Sequence, residues 1–266
     1  DRTLIPNGRE PESPEARPWF RRLVAEPEVA LAYVTGRHRA LIEAAIAEYA
    51  LPVPNFVIGD VGTSLHVIVD GVWERVQDWE TEIATDWAGP ADIADWLADL
   101  DGLREQEREK QGPFKLSYYT PADLDSEALR ARIRERLERH EVRANLIWSI
   151  DEAAGVGLLD ILPANASKRH AIEFLMCRIG RGLDTTLFAG DSGNDLEVLV
   201  SPVHSILVAN AHPEVREMAV AQSRELDLAE RLYCAQGGWR GLNGNYGAGI
   251  LEGVAHFRPD LADRIG

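Results

Sequence analysis

Six residues, Gly190-Asp191-Ser192-Gly193-Asn194-Asp195, constrain this chain more than any other stretch. The apolar run Thr185-Thr186-Leu187-Phe188-Ala189 before them predicts a buried strand. The run Leu196-Glu197-Val198-Leu199-Val200 after them predicts the start of a helix. Two carboxylates four residues apart therefore sit in a Gly-containing loop at the carboxyl end of a strand, where open α/β sheets bind ligands. Carboxylate oxygens beside an amide suit a hard cation such as magnesium, which keeps several waters and shares phosphate oxygens. An acidic turn that caps a helix through Asn194 or Asp195 has the same local sequence. The loop needs partners elsewhere in the chain before it carries a functional meaning.

The surrounding pattern alternates strand and helix. Residues 14–26 predict an amphipathic helix, and Val29 to Val34 a buried strand ending in Thr35-Gly36-Arg37. A helix through Leu41, Ile42, Ala45 and Ile46 follows, then a short strand at Phe56-Val57-Ile58 and a hairpin around Asp70-Gly71. The texture changes at residues 74–111, which are rich in Trp, Asp and Glu and carry helical periodicity. Strands are expected at Phe114 to Tyr119, Val142 to Ile150 and Gly157 to Leu162, with a charged helix from Glu127 to His140 and a turn at Ala153-Ala154-Gly155. From Ser167 the first pattern resumes: helix 167–180, strand 185–189, helix 194–200, strand 205–208 and helix 213–222, then a Gly-rich stretch at 237–249 that suggests a mobile loop, and a helix over 248–257. This order predicts an α/β fold, a Rossmann-like parallel sheet core with an inserted α+β cap domain. The expected limits are 1–79 and 161–266 for the core and 80–160 for the cap.

Composition removes several function classes. A net charge of -16 leaves no basic stripe for nucleic acid and repels anionic membranes. No apolar run approaches the roughly 20 residues that span a bilayer. Two cysteines, Cys177 and Cys234, make no disulfide framework, so a reducing, cytoplasmic compartment is expected. Only three of the 28 basic residues are lysines, namely Lys110, Lys115 and Lys168. Of the aromatics, Trp73, Trp79, Trp87 and Trp96 cluster near the start of the insert, where packing is the first expectation and sugar stacking the second.

Four separated segments occur in the order of one superfamily. They are Asp1-Arg2-Thr3, Thr35-Gly36-Arg37, Lys168 in Asn165-Ala166-Ser167-Lys168, and Gly190 to Asp195. The chain resembles the haloacid dehalogenase superfamily of phosphohydrolases, in the group with an α/β cap inserted after the second motif. Within it, Ala32 to Arg37, Phe114 to Tyr119, Leu159 to Pro163 and Ala248 to Gly253 are similar to phrases of the sucrose-phosphate phosphatase family. With Ala255-His256-Phe257 after the last of them, these segments reach from residue 1 to 257.

The resemblance implies a phosphatase working through an aspartyl-phosphate. Asp1-Arg2-Thr3 matches the last three residues of a D-x-D-x-T motif. The nucleophilic Asp is then expected two positions upstream of Asp1, outside this sequence. Asp1 becomes the general acid/base. Thr35 and Gly36 are implied to hold phosphate oxygens, and Lys168 to neutralise phosphate and the attacking carboxylate. Asp1, Asp191, Asn194 and Asp195 are implied to serve a magnesium ion, Asp195 by orienting Lys168 or by reaching the metal through water. Read alone, Thr35 also fits a helix N-cap, Lys168 a solvated helix face and Lys115 an exposed strand position.

Lys115 matches the family position that meets the sugar, and Arg37, His38, Gln111 and Asp160 are further sugar candidates. The implied substrate is a small-molecule sugar phosphate, sucrose phosphate first, with mannosylfructose or glucosylglycerol phosphate as alternatives. A monomer with a glycosyltransferase (synthase) partner is expected. A non-catalytic sugar-phosphate-binding domain attached to a glycosyltransferase is the reading of a different class.

Overall fold

The computed structural model describes residues 1–151 and 154–265. Its residues form two compact units. One comprises Tyr33–Ile42 and Phe56–Ala171, and the other Asp1–Ala32, Glu43–Asn55 and the chain from Ile172 on.

The first unit holds a four-stranded sheet in the order of the chain: β1 (Ala32–Val34), β2 (Phe56–Gly59), β3 (Ser64–Val69) and β4 (Val72–Arg75). Strand β3 runs antiparallel to both β2 and β4. Asp70 and Gly71 take positive φ, 50° and 79°, as a two-residue hairpin requires. Strand β1 is shorter than its apolar run because Leu31 hydrogen-bonds Asn55, donating to its side-chain oxygen and accepting from its backbone N–H.

A second sheet in this unit has the order β5 (Arg104–Glu105), β6 (Leu116–Pro121), β8 (Val156–Pro163) and β7 (Ala144–Asp151), antiparallel throughout. One face of it packs against the helices Pro90–Leu97 and Ser126–Glu138. Pro90 starts the first of these helices, where its missing N–H is harmless. The Asp125 carboxylate caps the second by accepting from the N–H groups of Glu127 and Ala128. Leu129, Ile133 and Leu137 recur every fourth residue and point inward with Ile93, Leu97, Leu159 and Ile161. Each such side chain contributes about 1.5–3 kcal/mol through burial. Trp79 is fully buried, and Trp87 and Trp96 pack on this core, which fits the packing expectation for them. Ala154 and Gly155 lie in a turn, while Ala153 of the expected turn falls outside the described residues.

The second unit holds a parallel sheet ordered β11 (Leu232–Cys234), β10 (His204–Leu207), β9 (Leu187–Gly190). Helices Ala16–Val24 and Gly247–Phe257 bury Phe20, Leu23, Ala248, Leu251 and Val254 around Ile206 of β10. The Gly-rich stretch is tied down rather than loose. The buried Glu252 carboxylate accepts from Tyr233 Oη and from the N–H groups of Gln236 and Gly237. Asn243 donates to Ser13 Oγ and the Pro11 carbonyl, and Gly244 O accepts from Ala209 N. Both cysteines are free thiols. Among the described residues no helix is long and apolar enough to cross a membrane.

Candidate active site

In the parallel-sheet unit, β9 delivers the acidic loop. Asp191 and Asp195 are 7% and 6% exposed. Asp195 Oδ2 accepts from the N–H groups of Asp191 and Ser192, each at 3.1 Å, and from Ser192 Oγ at 2.9 Å. That carboxylate holds the loop's shape. Gly190 lets it approach, since a Cβ there would lie 2.8 Å from Asp195 Cβ.

Asp191 faces the first residues of the chain. Its Oδ1 accepts from Thr3 Oγ1 at 2.5 Å, and its Oδ2 lies 3.9 Å from Arg2 Nε. Desolvation raises the Asp191 carboxyl pKa; the Thr3 hydrogen bond opposes this, and the nearby Asp195 charge adds to it. Asn194 is exposed in the single turn that follows. Asp1 is exposed, and its Oδ1 accepts from Asn7 Nδ2 at 2.8 Å.

Sequence reasoning missed Asn210 in this unit. Its buried side chain donates to the Arg2 carbonyl at 2.6 Å and accepts from the Tyr246 N–H at 2.7 Å, clasping the first motif to the start of the helix Gly247–Phe257. A lone Asn after a strand gives no local signal of such a long-range bond.

The donor chemistry fits magnesium. The expected set offers hard carboxylate and amide oxygens, and Asp191 is a buried carboxylate whose charge a cation would offset. Among the described residues no three His, Cys, Asp or Glu side chains are gathered as a metal centre.

In the other unit, Thr35 follows β1. Its backbone donates to Ile58 O and accepts from Val61 N, and its Oγ1 accepts from Arg37 N at 3.1 Å. That leaves the hydroxyl proton for an outside acceptor. Gly36 is exposed, and Arg37 and His38 lead into the helix Arg39–Glu48, with Arg37 Nη1 donating to Leu41 O. Lys168 opens the helix Lys168–Arg178. Ser167 Oγ accepts from His170 N, as a helix N-cap does.

The sugar candidates fall in the same unit. Ser117 and Asp160 are paired across β6 and β8, and Ser117 Oγ donates to Asp160 Oδ1 at 2.5 Å. Lys115 is 5% exposed rather than a solvated strand residue, and its Nζ lies 3.2 Å from Asp60 Oδ1. Burial raises the Asp160 pKa, Lys115 and Ser117 lower it, and Asp60 raises it, so Lys115 acts electrostatically on two carboxylates.

Gln111 completes the sheet edge. Its Nε2 donates to the carbonyls of Gln106 and Ser117, and its Oε1 accepts from Ser117 N. Asp60 was not marked by the sequence reading, although a signal existed: an acid directly after an apolar strand and a Gly, as at Gly190-Asp191.

The sequence pattern of the sucrose-6F-phosphate phosphohydrolase family matches residues 1–258. A protein of Nitrosococcus oceani named only as a HAD-like hydrolase is 52% identical over 262 residues, covering 98% of this chain and 70% of the relative. Mannosylfructose-phosphate phosphatase of Agrobacterium fabrum is 31% identical over 182 residues, covering 68% of this chain and 69% of the relative. Sucrose-phosphatase 1 of Nicotiana tabacum is 28% identical over 244 residues and 88% of this chain, which spans about half (52%) of that relative's length. Among solved structures, the sucrose-phosphatase of Synechocystis sp. PCC6803 in complex with sucrose and phosphate superposes with a TM-score of 0.73 at 22% identity, covering 97% of this chain and 94% of that one. At that identity the likeness is one of fold, a HAD-like α/β core with a cap.

Proposed function

Because the chain belongs to the sucrose-6F-phosphate phosphohydrolase family, a family of sugar phosphatases, we propose that it releases phosphate from a phosphorylated disaccharide, sucrose phosphate first, with magnesium as cofactor. The observation that carries this reading is the family match over residues 1–258, with all four motif segments in order.

In the proposed reaction an Asp two positions before Asp1 in the family pattern attacks phosphorus, and water then cleaves the aspartyl-phosphate. Asp1 protonates the leaving sugar oxygen and later takes a proton from the attacking water. The Thr35 hydroxyl and the Gly36 N–H donate to non-bridging phosphate oxygens. The Lys168 ammonium balances the charge of phosphate and nucleophile. Asp1, Asp191 and Asn194 hold magnesium, with Asp195 shaping their loop. A bound magnesium ion supplies positive charge against the phosphate dianion. Lys115 and Asp160, with Arg37, His38 and Gln111 as further candidates, select the sugar. Residues 80–160 act as the cap and 1–79 with 161–266 as the core.

A second reading, a phosphatase for mannosylfructose phosphate or another glycoside phosphate, is favoured by the relative so named at 31% identity. In either case the substrate comes from transfer of a sugar onto a phosphorylated acceptor, so a glycosyltransferase is the proposed partner. A cytoplasmic monomer is the proposed working form.

The test is phosphate release by full-length protein from sucrose, mannosylfructose and glucosylglycerol phosphates, with magnesium and with chelator. Turnover of one of the three that chelator abolishes is expected. No turnover on any of them, or turnover indifferent to chelator, would overturn the reading in favour of a binding domain or a different ester.

A further inference from the structure

The segment Gly59-Asp60-Val61-Gly62 carries three consecutive residues with positive φ: Asp60 at 49°, Val61 at 60° and Gly62 at 98°. A β-branched residue rarely takes this region, and such strain persists only where surrounding contacts over-determine it. They do so here. Asp60 N donates to Arg37 O and Val61 N to Thr35 O, while Asp60 O accepts from Thr63 N and Thr63 Oγ1. Trp79 Nε1 donates to Gly62 O. Gly62 lies so close to the next motif that a Cβ would be 2.6 Å from the Ser167 carbonyl carbon and oxygen and 2.9 Å from Lys168 N. The turn is thus bonded to the backbone of Thr35 and packed on that of Lys168.

What this frame presents is the Asp60 carboxylate. Its Oδ2 accepts from Ser64 Oγ at 3.1 Å, and its Oδ1 meets Lys115 Nζ at 3.2 Å. A lysine as buried as Lys115 needs its charge matched. An ammonium has three N–H donors, and a fixed carboxylate on one of them directs the other two.

We propose that Asp60 is a positioning residue for substrate selection, holding the Lys115 ammonium so that its other N–H donors meet hydroxyl oxygens of the sugar part of the phosphate ester. This rests on the sugar phosphatase reading above. Asp60 acts through Lys115 and touches neither phosphorus nor the leaving oxygen. Its loss therefore weakens the choice of sugar and spares phosphate chemistry on an ester without one.

The experiment compares Asp60→Asn, Lys115→Gln and the double variant on sucrose phosphate and on p-nitrophenyl phosphate, using full-length protein with magnesium. Asp60→Asn is expected to lower kcat/KM for sucrose phosphate about tenfold, chiefly through KM, and to change p-nitrophenyl phosphate turnover less than about twofold. The double variant is expected to match Lys115→Gln, because the two residues act as one unit. Additive losses, or equal losses on both esters, would overturn the proposal. Should Asp60→Asn fail to fold, Ser64→Ala removes the donor to Asp60 Oδ2, and a smaller loss with the same KM signature is expected.

The chain has three lysines, so amine labelling read by mass spectrometry resolves each one. Lys115 is expected to label slowly in wild type and about tenfold faster in Asp60→Asn, with Lys110 unchanged. An unchanged Lys115 rate would also overturn the proposal. Wild-type protein that turns over p-nitrophenyl phosphate but no sugar phosphate would overturn the functional reading instead, and labelling would then decide whether Asp60 controls Lys115.

Discussion

The Thr3 hydroxyl donates to Asp191 Oδ1 at 2.5 Å, joining residues 188 positions apart. The first motif and the acidic loop after β9 are thus one cluster. With Arg2 and Asn210 they form a small polar patch at the carboxyl end of the parallel sheet.

Burial gives Asp191 a pH dependence. Its folded pKa is raised by burial, so the folded state binds a proton more readily than the unfolded chain. The stability contribution is present below the unfolded value and is lost as pH rises through the folded one. Without metal at pH 7, Asp191→Asn is expected to melt at a higher temperature than wild type, with the gap narrowing toward pH 4. Millimolar magnesium is expected to raise the melting temperature of wild type and leave that of the variant unchanged. Thermal unfolding at several pH values, with and without magnesium, checks both.

Removing the donor tests the same contact from the other side. Thr3→Val leaves a buried carboxylate oxygen without its hydroxyl partner, at a cost of about 1–3 kcal/mol. Thr3→Ser keeps the hydroxyl and is expected to lose less than about 0.8 kcal/mol, the worth of one fully buried methyl group. Denaturant titration of both variants, with phosphate release alongside, separates loss of the bond from loss of the methyl group.

Charge at the phosphate is expected to matter more than packing in the cap. Lys168→Ala should lower kcat about a thousandfold and Thr35→Ala about a hundredfold. Trp96→Phe should leave kcat within about twofold, because Trp96 packs on the core of its unit and stacks on His140. Steady-state kinetics on the same substrate checks all three.

Gly62→Ala combines a positive φ with a close approach to Ser167 and Lys168. Strain alone costs about 1–3 kcal/mol. The clash with main-chain atoms adds a shift of the Lys168 backbone. The variant should therefore lose both melting temperature and kcat, whereas Gly71→Ala, with open space around its Cβ position, should lose only stability.

Much of the fold was legible because its signals are local. The hairpin at Asp70-Gly71, the helix with Leu129, Ile133 and Leu137 on one face, and the strand before Gly190 each follow from periodicity or turn chemistry within a few residues. Strand β11 was not legible: Leu232-Tyr233-Cys234 is too short to carry a period and exists by pairing with β10. The 237–249 segment, rich in glycine, suggested a loose loop. It is instead held by Glu252, Ser13 and Ala209, none of them within it.

The sequence by itself determined the motif order, the strand-helix alternation and the family, since residue type and spacing encode these directly. Only the tertiary structure decided which groups face one another: Thr3 with Asp191, Asn210 with Arg2 and Tyr246, and Asp60 with Lys115. Those pairings join residues tens to hundreds of positions apart. They depend on where packed sheets and strained turns bring the backbone, and local propensity carries no information about that.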